Sequence, residues 1–171
     1  MNLLQISNRV AGGVKCVVEI PRRSMLKYEY DVSSESLKVS KKFSVTIPYN
    51  YGFIPKTVAP DGDCLDVIFW TREYISPLSV VDCSIVGVLE CSQEGVRDDK
   101  LIVSPFFEKR DGPKIAQIES KDLTDWLEFI KLSNKESFKK FDFHCFKDRE
   151  NAMMTFKLCN YDEPSKNPFL G

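Results

Sequence analysis

A chain of 171 residues can bury one sizeable core and fits a single domain, expected over 1–171 with a flexible tail over 162–171. Acidic and basic residues nearly cancel, 25 against 24, for a net charge of -1. That balance excludes a whole-surface attraction to nucleic acid or to an anionic membrane. No stretch approaches the roughly 18 apolar residues of a membrane-spanning helix, and the N-terminal MNLLQISNRVAGGVK has no basic-then-apolar secretory pattern. The expected location is therefore cytoplasmic. Six cysteines, at 16, 64, 83, 91, 145 and 159, form no C-x-x-C pair, so reduced and mostly buried thiols are expected rather than a zinc or redox motif. His144 is the only histidine, which rules out a multi-histidine metal centre and leaves a lone general-base candidate.

Along the first hundred residues the pattern is one of short strands divided by turns. Residues 14–20 are apolar and β-branched, 27–31 alternate polar with aromatic, and apolar runs follow at 67–70, 80–90 and 100–103. Strands at this density predict a small closed or nearly closed antiparallel barrel, so the fold class is mainly β with some α. Residues 48–63, PYNYGFIPKTVAPDGD, carry prolines and glycines that predict a long shaped loop. Helical periodicity begins after Ser120, where Leu123, Trp126, Leu127 and Ile130 fall at i, i+3, i+4 and i+7. This is the stripe of a helix packed on the barrel, with Asp122 as its expected N-cap. A second helix is expected over about 151–158, with Asp148 near its start.

The sharpest chemical signal is Asp61-Gly62-Asp63-Cys64-Leu65-Asp66, three carboxylates within six residues. Like charges this close repel unless water or a cation intervenes. Carboxylate oxygens are hard ligands suited to Mg²⁺, Mn²⁺ or Ca²⁺, and the lack of neighbouring His or Cys pairs argues against zinc. Taken alone, the pattern is equally that of a solvated acidic turn. Three further segments support a site: Lys27-Tyr28-Glu29-Tyr30-Asp31, whose period of two puts Lys27, Glu29 and Asp31 on one strand face; Asp98-Asp99-Lys100 ahead of an apolar strand; and Asn50-Tyr51-Gly52 in the proline-rich segment.

In order, the constellation is Glu19-Ile-Pro, Lys27-Tyr-Glu29, Pro48-x-Asn50-Tyr51-Gly52-Phe53-Ile54, Asp61-Gly-Asp63-x-x-Asp66 and Asp98-x-Lys100. It resembles the soluble, Mg²⁺-dependent inorganic pyrophosphatases over about residues 17–131. The resemblance implies a five-stranded OB-like barrel with flanking helices and hydrolysis of pyrophosphate to two orthophosphates by a metal-activated water. It also implies several Mg²⁺ ions per active site, with Mn²⁺ an alternative, and a homo-oligomer, dimeric or hexameric. Carried over residue by residue, Asp61, Asp66 and Asp98 ligate metal and Asp63 is the general base. Lys27, Lys41, Tyr51, Lys100 and Lys131 contact phosphate, while Glu19 and Glu29 hold metal-bound waters. The charge logic agrees: pyrophosphate is a polyanion, and attack at phosphorus requires cations around it.

Four positions depart from the family pattern. Lys41 falls where an arginine is expected, in a segment about three residues shorter before Pro48. Ile47 and Ile130 stand where tyrosines are expected, and Gln93, beside Glu94, takes the place of an aspartate. Each lost donor to a charged oxygen is worth about 1.5–3 kcal/mol, so a slowed enzyme is expected. The alternative is a degenerate member that binds metal, phosphate or a protein partner with little turnover.

Overall fold

A computed structural model describes residues 1–162; residues 163–171 lie outside it, and with them the expected tail apart from Asp162. The strands, in order, are β1 (Arg9–Val10), β2 (Gly13–Ile20), β3 (Leu26–Asp31), β4 (Ser36–Lys42), β5 (Asn50–Ile54), β6 (Leu65–Phe69), β7 (Val80–Gln93), β8 (Val96–Arg97), β9 (Lys100–Pro105) and β10 (Phe141–Lys147). Helix α1 (Ser120–Glu136) precedes β10, and α2 (Arg149–Cys159) follows it.

Five strands close the barrel in the order β2, β5, β6, β9, β7, with β7 returning to pair β2. One feature differs from the expected antiparallel barrel: β6 and β9 run parallel, with Asp66 opposite Lys100. The strands alternate their side chains between two buried faces. Leu65, Val67, Phe69, Leu101 and Val103 enter one core with Val14, Cys16 and Ala152 of α2, whereas Ile68 and Ile102 enter another with Leu89, Trp126, Phe129 and Ile130. Burial on both faces explains why these segments read as unbroken apolar runs rather than alternating ones. Each such Leu, Ile or Phe contributes about 1.5–3 kcal/mol of hydrophobic stabilisation.

The proline-rich segment is not one long loop. Pro48 and Pro55 bracket a regular strand, β5, whose Asn50 to Ile54 contain no proline and can donate to both neighbours. Gly52 is needed there because a Cβ would stand 1.8 Å from the Val17 carbonyl oxygen of β2. Besides the two-residue β1 and β8, two further strands were unread: β4, a mostly polar partner of β3 in a separate two-stranded sheet, and β10, whose pairing with β7 shifts register between Phe143 and Cys145.

Helix α1 begins earlier than expected. Glu119 is its N-cap, its carbonyl accepting from the Asp122 and Leu123 amides, so Asp122 lies in the first turn instead. There its charge still complements the helix N-terminus, and it pairs with Arg72 at 3.1 Å. Helix α2 is capped by Asp148, whose carboxylate accepts from the Asn151 amide. Asp162 is fixed rather than loose, accepting from the Ser7 hydroxyl at 2.7 Å and the Asn8 amide at 2.8 Å. All six thiols are free, with Cys16, Cys83 and Cys91 buried, and no described helix is long and apolar enough to cross a membrane.

Candidate active site

A cavity of about 590 Å³ opens between the barrel mouth, the β3–β4 hairpin and the C-terminal half of α1. Three of the five barrel strands, the hairpin and two turns deliver charge to it, and β5 adds a phenol. Glu19 comes from β2, Lys27 and Glu29 from β3, Tyr51 from β5, Asp66 from β6, Asp98 from the β8–β9 turn and Lys100 from β9, while Asp61 and Asp63 come from the turn before β6. That turn is shaped by Gly62, at φ +91°, and by the Asp61 carboxylate, which accepts from the Asp63 amide at 3.0 Å. Left-handed geometry at Gly62 lets the two flanking carboxylates share the rim.

At the floor, the Lys100 ammonium donates to Asp66 at 2.8 Å and to Asp98 at 3.1 Å. It stands 5.6 Å above the Tyr51 ring. Burial alone would push the Lys100 pKa down, but Asp66 and Asp98 outweigh it and hold the ammonium well above its ordinary value. Asp98 is raised to about 6 by burial, which the facing Lys100 only partly offsets. Glu19 is raised to about 7, again by burial, although its carboxylate accepts from the Tyr30 amide at 2.8 Å. Asp63 is raised by burial and by its neighbours Asp61 and Asp66. A group of carboxylates that resists ionisation together is what a cation would relieve. On the opposite rim Lys27 pairs with Glu29 at 2.9 Å.

Behind the floor, the acidic turn is clamped to β7. Asp98 donates its amide to the Cys91 carbonyl at 2.9 Å, and the buried Asp99 carboxylate accepts from the Cys91 amide at 3.1 Å and from Arg97 Nε at 2.7 Å. Arg97 continues to Glu90 at 3.0 Å.

Not every expected residue faces the cavity. Lys131 does not: α1 turns it outward, to an exposed pairing with Glu128 at 3.5 Å, because the apolar stripe fixes Ile130 inward and its neighbour lies about 100° round the helix. Lys41 lines the cavity, but its ammonium is engaged by the end of α1, donating to the Ser133 carbonyl at 2.5 Å and the Ser137 hydroxyl at 2.7 Å. Asp31 turns away to serve the hairpin turn, accepting from the Ser33 amide at 2.9 Å. His144 lies on an exposed part of β10, 3.0 Å from the Ser92 hydroxyl.

The departures lie on the wall. Ile47 and Ile130 are buried there beside Phe43, Tyr49 and Phe129. Gln93 reaches the cavity and donates its amide to Asn134 Oδ1. Glu94, at φ +52°, sits in a turn where its carboxylate accepts from the Lys140 amide, away from the acidic cluster. Sequence reading missed Tyr49, Ser133, Asn134 and Ser137, all of which line the cavity, as does Lys139, one of the other registers (with Lys135 and Lys140) open to the lysine matched at Lys131. Ile130, Ser133, Asn134 and Ser137 follow at i, i+3, i+4 and i+7, the periodicity already used for the apolar stripe, and continuing it would have found them.

With that geometry in hand, the chain can be set beside known proteins. A family model described as inorganic pyrophosphatase matches residues 16–162. Soluble inorganic pyrophosphatase 2 of Chlamydomonas reinhardtii is 42% identical over 101 residues, 58% of this chain and 53% of that protein. An inorganic pyrophosphatase of Nanoarchaeum equitans is 38% identical over 130 residues, 75% of this chain and 78% of that one. The chain spans about half the length of the first of these curated relatives. The crystal structure of inorganic pyrophosphatase from Thermus thermophilus superposes with a TM-score of 0.85 at 27% identity, covering 93% of this chain and 97% of that one. The family match over most of the length, together with five short motifs delivered to one cavity, places this chain in the inorganic pyrophosphatase family.

Proposed function

We propose that the chain hydrolyses pyrophosphate to two orthophosphates by direct attack of water, using divalent cations and no covalent intermediate. The observation that carries this reading is the meeting of Asp66, Asp98 and Lys100 at the floor of a cavity rimmed by Asp61, Asp63 and Lys27.

The donor set fits Mg²⁺, and also Mn²⁺: every candidate ligand is a carboxylate oxygen, and none of the free thiols or the lone histidine lines the cavity rim with them except Cys64. Among the described residues no three such side chains already converge on a single point, because Lys100 draws Asp66 and Asp98 to itself. Asp61, Asp66 and Asp98 would therefore hold their ions partly through water, as Mg²⁺ prefers. When bound, such ions neutralise the phosphate charge and lower the pKa of water.

The protein's own groups do the rest. Asp63, with its raised affinity for protons, accepts the proton of the attacking water as the new P–O bond forms. The P–O–P bridge breaks, and its electron pair leaves on the departing phosphate. Lys27, Lys100 and the Tyr51 hydroxyl offset charge on the phosphate oxygens. Glu19 and Glu29 would accept hydrogen bonds from water on ions held by Asp61, Asp66 and Asp98. The relatives named soluble pyrophosphatases support a cytoplasmic site of action, and the family resemblance supports a homo-oligomer, dimeric or hexameric.

Phosphate release from pyrophosphate, measured with and without Mg²⁺, tests the proposal. Mg²⁺-dependent release that Asp63→Asn abolishes is expected; no release at any Mg²⁺ concentration would overturn it.

A further inference from the structure

The cavity wall that carries Ile47 and Ile130 has lost two phenolic hydroxyls relative to the family pattern, but it is not without donors. One turn beyond Ile130, the hydroxyls of Ser133 and Ser137 line the same cavity. Both accept from the Lys41 ammonium, Ser133 at 3.2 Å and Ser137 at 2.7 Å, while the third acceptor is the Ser133 carbonyl at 2.5 Å. An ammonium has three N–H donors. All three are therefore committed, and Lys41 has none left to offer a phosphate directly.

A hydroxyl that accepts from a cation keeps its own proton free to donate, and it donates more strongly for being polarised. Ser133 and Ser137 thus present two O–H groups to the cavity with a unit positive charge behind them. The charge that could compete is Glu136, whose carboxylate is 4.0 Å from Lys41. It accepts from the Ser44 hydroxyl and lines an adjoining groove shared with Lys41 and Ser137, but it is not among the residues that line the cavity itself. Lys139, on the cavity rim, adds a second cation on the same side, and burial lowers the Lys41 pKa, an effect that Glu136 partly offsets and that Lys27 and Lys139 add to.

We infer that Ser133 and Ser137, polarised by Lys41, form the subsite that binds one phosphate group of the substrate, and that Lys41 acts through them. This rests on the reading of the cavity as a pyrophosphate site. The same chemistry serves the phosphate arriving in pyrophosphate and the orthophosphate leaving as product, so both should feel the subsite.

The test compares wild type with Ser133→Ala, Ser137→Ala, the double variant, Ser133→Thr and Lys41→Gln. Steady-state hydrolysis is measured at saturating Mg²⁺, with orthophosphate binding followed by calorimetry. Loss of both hydroxyls should raise KM for pyrophosphate about tenfold or more, as expected for lost hydrogen bonds to a charged group, with kcat changed less than about threefold. Orthophosphate affinity should fall in parallel, and Ser133→Thr, which keeps a hydroxyl, should stay near wild type. Lys41→Gln added to the double variant should cost little more, because the three groups act as one unit. Variants that melt lower yet keep wild-type KM and orthophosphate affinity would show Lys41 to be only a strut between β4 and α1, and would overturn the inference. Absent hydrolysis by wild type would sink the proposed activity instead, and the calorimetric comparison would still decide the subsite.

Discussion

Lys100 Nζ stands 2.8 Å from Asp66 Oδ2, with only 8% of the lysine side chain exposed. Without bound cations this contact, repeated to Asp98 at 3.1 Å, is what lets two half-buried carboxylates coexist. Removing one partner of a buried pair strands the others, at a cost of about 3 kcal/mol or more. Lys100→Met should therefore lower the metal-free melting temperature by several degrees, at about 2–4 °C per kcal/mol for a chain of this size. Saturating Mg²⁺ should recover most of that loss, since ions then balance Asp66 and Asp98, while hydrolysis stays depressed. Differential scanning calorimetry with and without Mg²⁺ checks both halves; a melting temperature that ignores Mg²⁺ would refute the account.

Asp63 and Asp66 should fail differently when changed. Asp63→Asn removes a proton acceptor but keeps an oxygen, so hydrolysis should vanish while Mg²⁺ affinity stays within a few-fold. Asp66→Ala should weaken Mg²⁺ binding itself. Isothermal titration beside a turnover assay separates the two roles, and equal Mg²⁺ affinities for wild type and Asp66→Ala would remove Asp66 from the set of ligands.

Glu19 gives stability a pH dependence of known sign. Its pKa rises from 4.5 to about 7 on folding, through burial, so the folded chain binds the extra proton more tightly than the unfolded one. The stability this contributes is fully present below about pH 4.5 and is lost as pH rises through about 7. At pH 8 the ionised Glu19 costs the metal-free protein at most roughly 3 kcal/mol. Glu19→Gln should thus be the more stable protein in metal-free urea unfolding at pH 8, with the advantage shrinking toward zero by pH 5. An advantage that grows toward acid would have the wrong sign.

Gln93 contributes an amide where a carboxylate would carry charge, and that amide is already donating to Asn134. Gln93→Asp should lower the Mg²⁺ concentration for half-maximal hydrolysis and raise the rate at limiting Mg²⁺. Glu94 is held in its turn by the Lys140 amide, so Glu94→Gln should change the Mg²⁺ dependence less than twofold. The reverse outcome would make Glu94 the ligand.

The Arg97–Asp99 contact at 2.7 Å holds the turn that aims Asp98. Asp99→Ala should weaken Mn²⁺ binding about tenfold, the usual scale for groups that orient a ligand. Electron paramagnetic resonance titration of Mn²⁺ checks this without relying on turnover. Unchanged Mn²⁺ affinity would reduce Asp99 to a fold-stabilising residue.

The sequence made the barrel legible because its strands are apolar on both faces, as in Leu101-Ile102-Val103, and made the acidic cluster of rim and floor legible because Asp61, Asp63 and Asp66 fall within six residues. What it hid has physical reasons. Ser36–Lys42 is polar on nearly every residue and exists as a strand only through its partner Leu26–Asp31. Asn50–Ile54 was masked by prolines that stand at its ends rather than within it. Lys131 falls outside the cavity because facing on a helix is decided by residue phase, and the residue after the inward Ile130 is turned about 100° round the axis. The engagement of Lys41 by Ser133 and Ser137 joins residues 92 and 96 positions apart, a pairing that local pattern cannot reveal.

The parallel register of β6 and β9 bears on how the protein comes into being. Parallel neighbours need a long crossover, here one that includes the 14 residues of β7, so Asp66 and Lys100, 34 positions apart, meet only after that crossover has been laid down. A nascent chain that has emerged through Asp66 already carries Asp61 and Asp63 yet has no floor on which to seat a phosphate. Its carboxylates also lack their counterion during that interval. Assembly of the centre is thereby tied to closure of the barrel, because the long-range pairing of β6 with β9 is what brings Lys100 to Asp66.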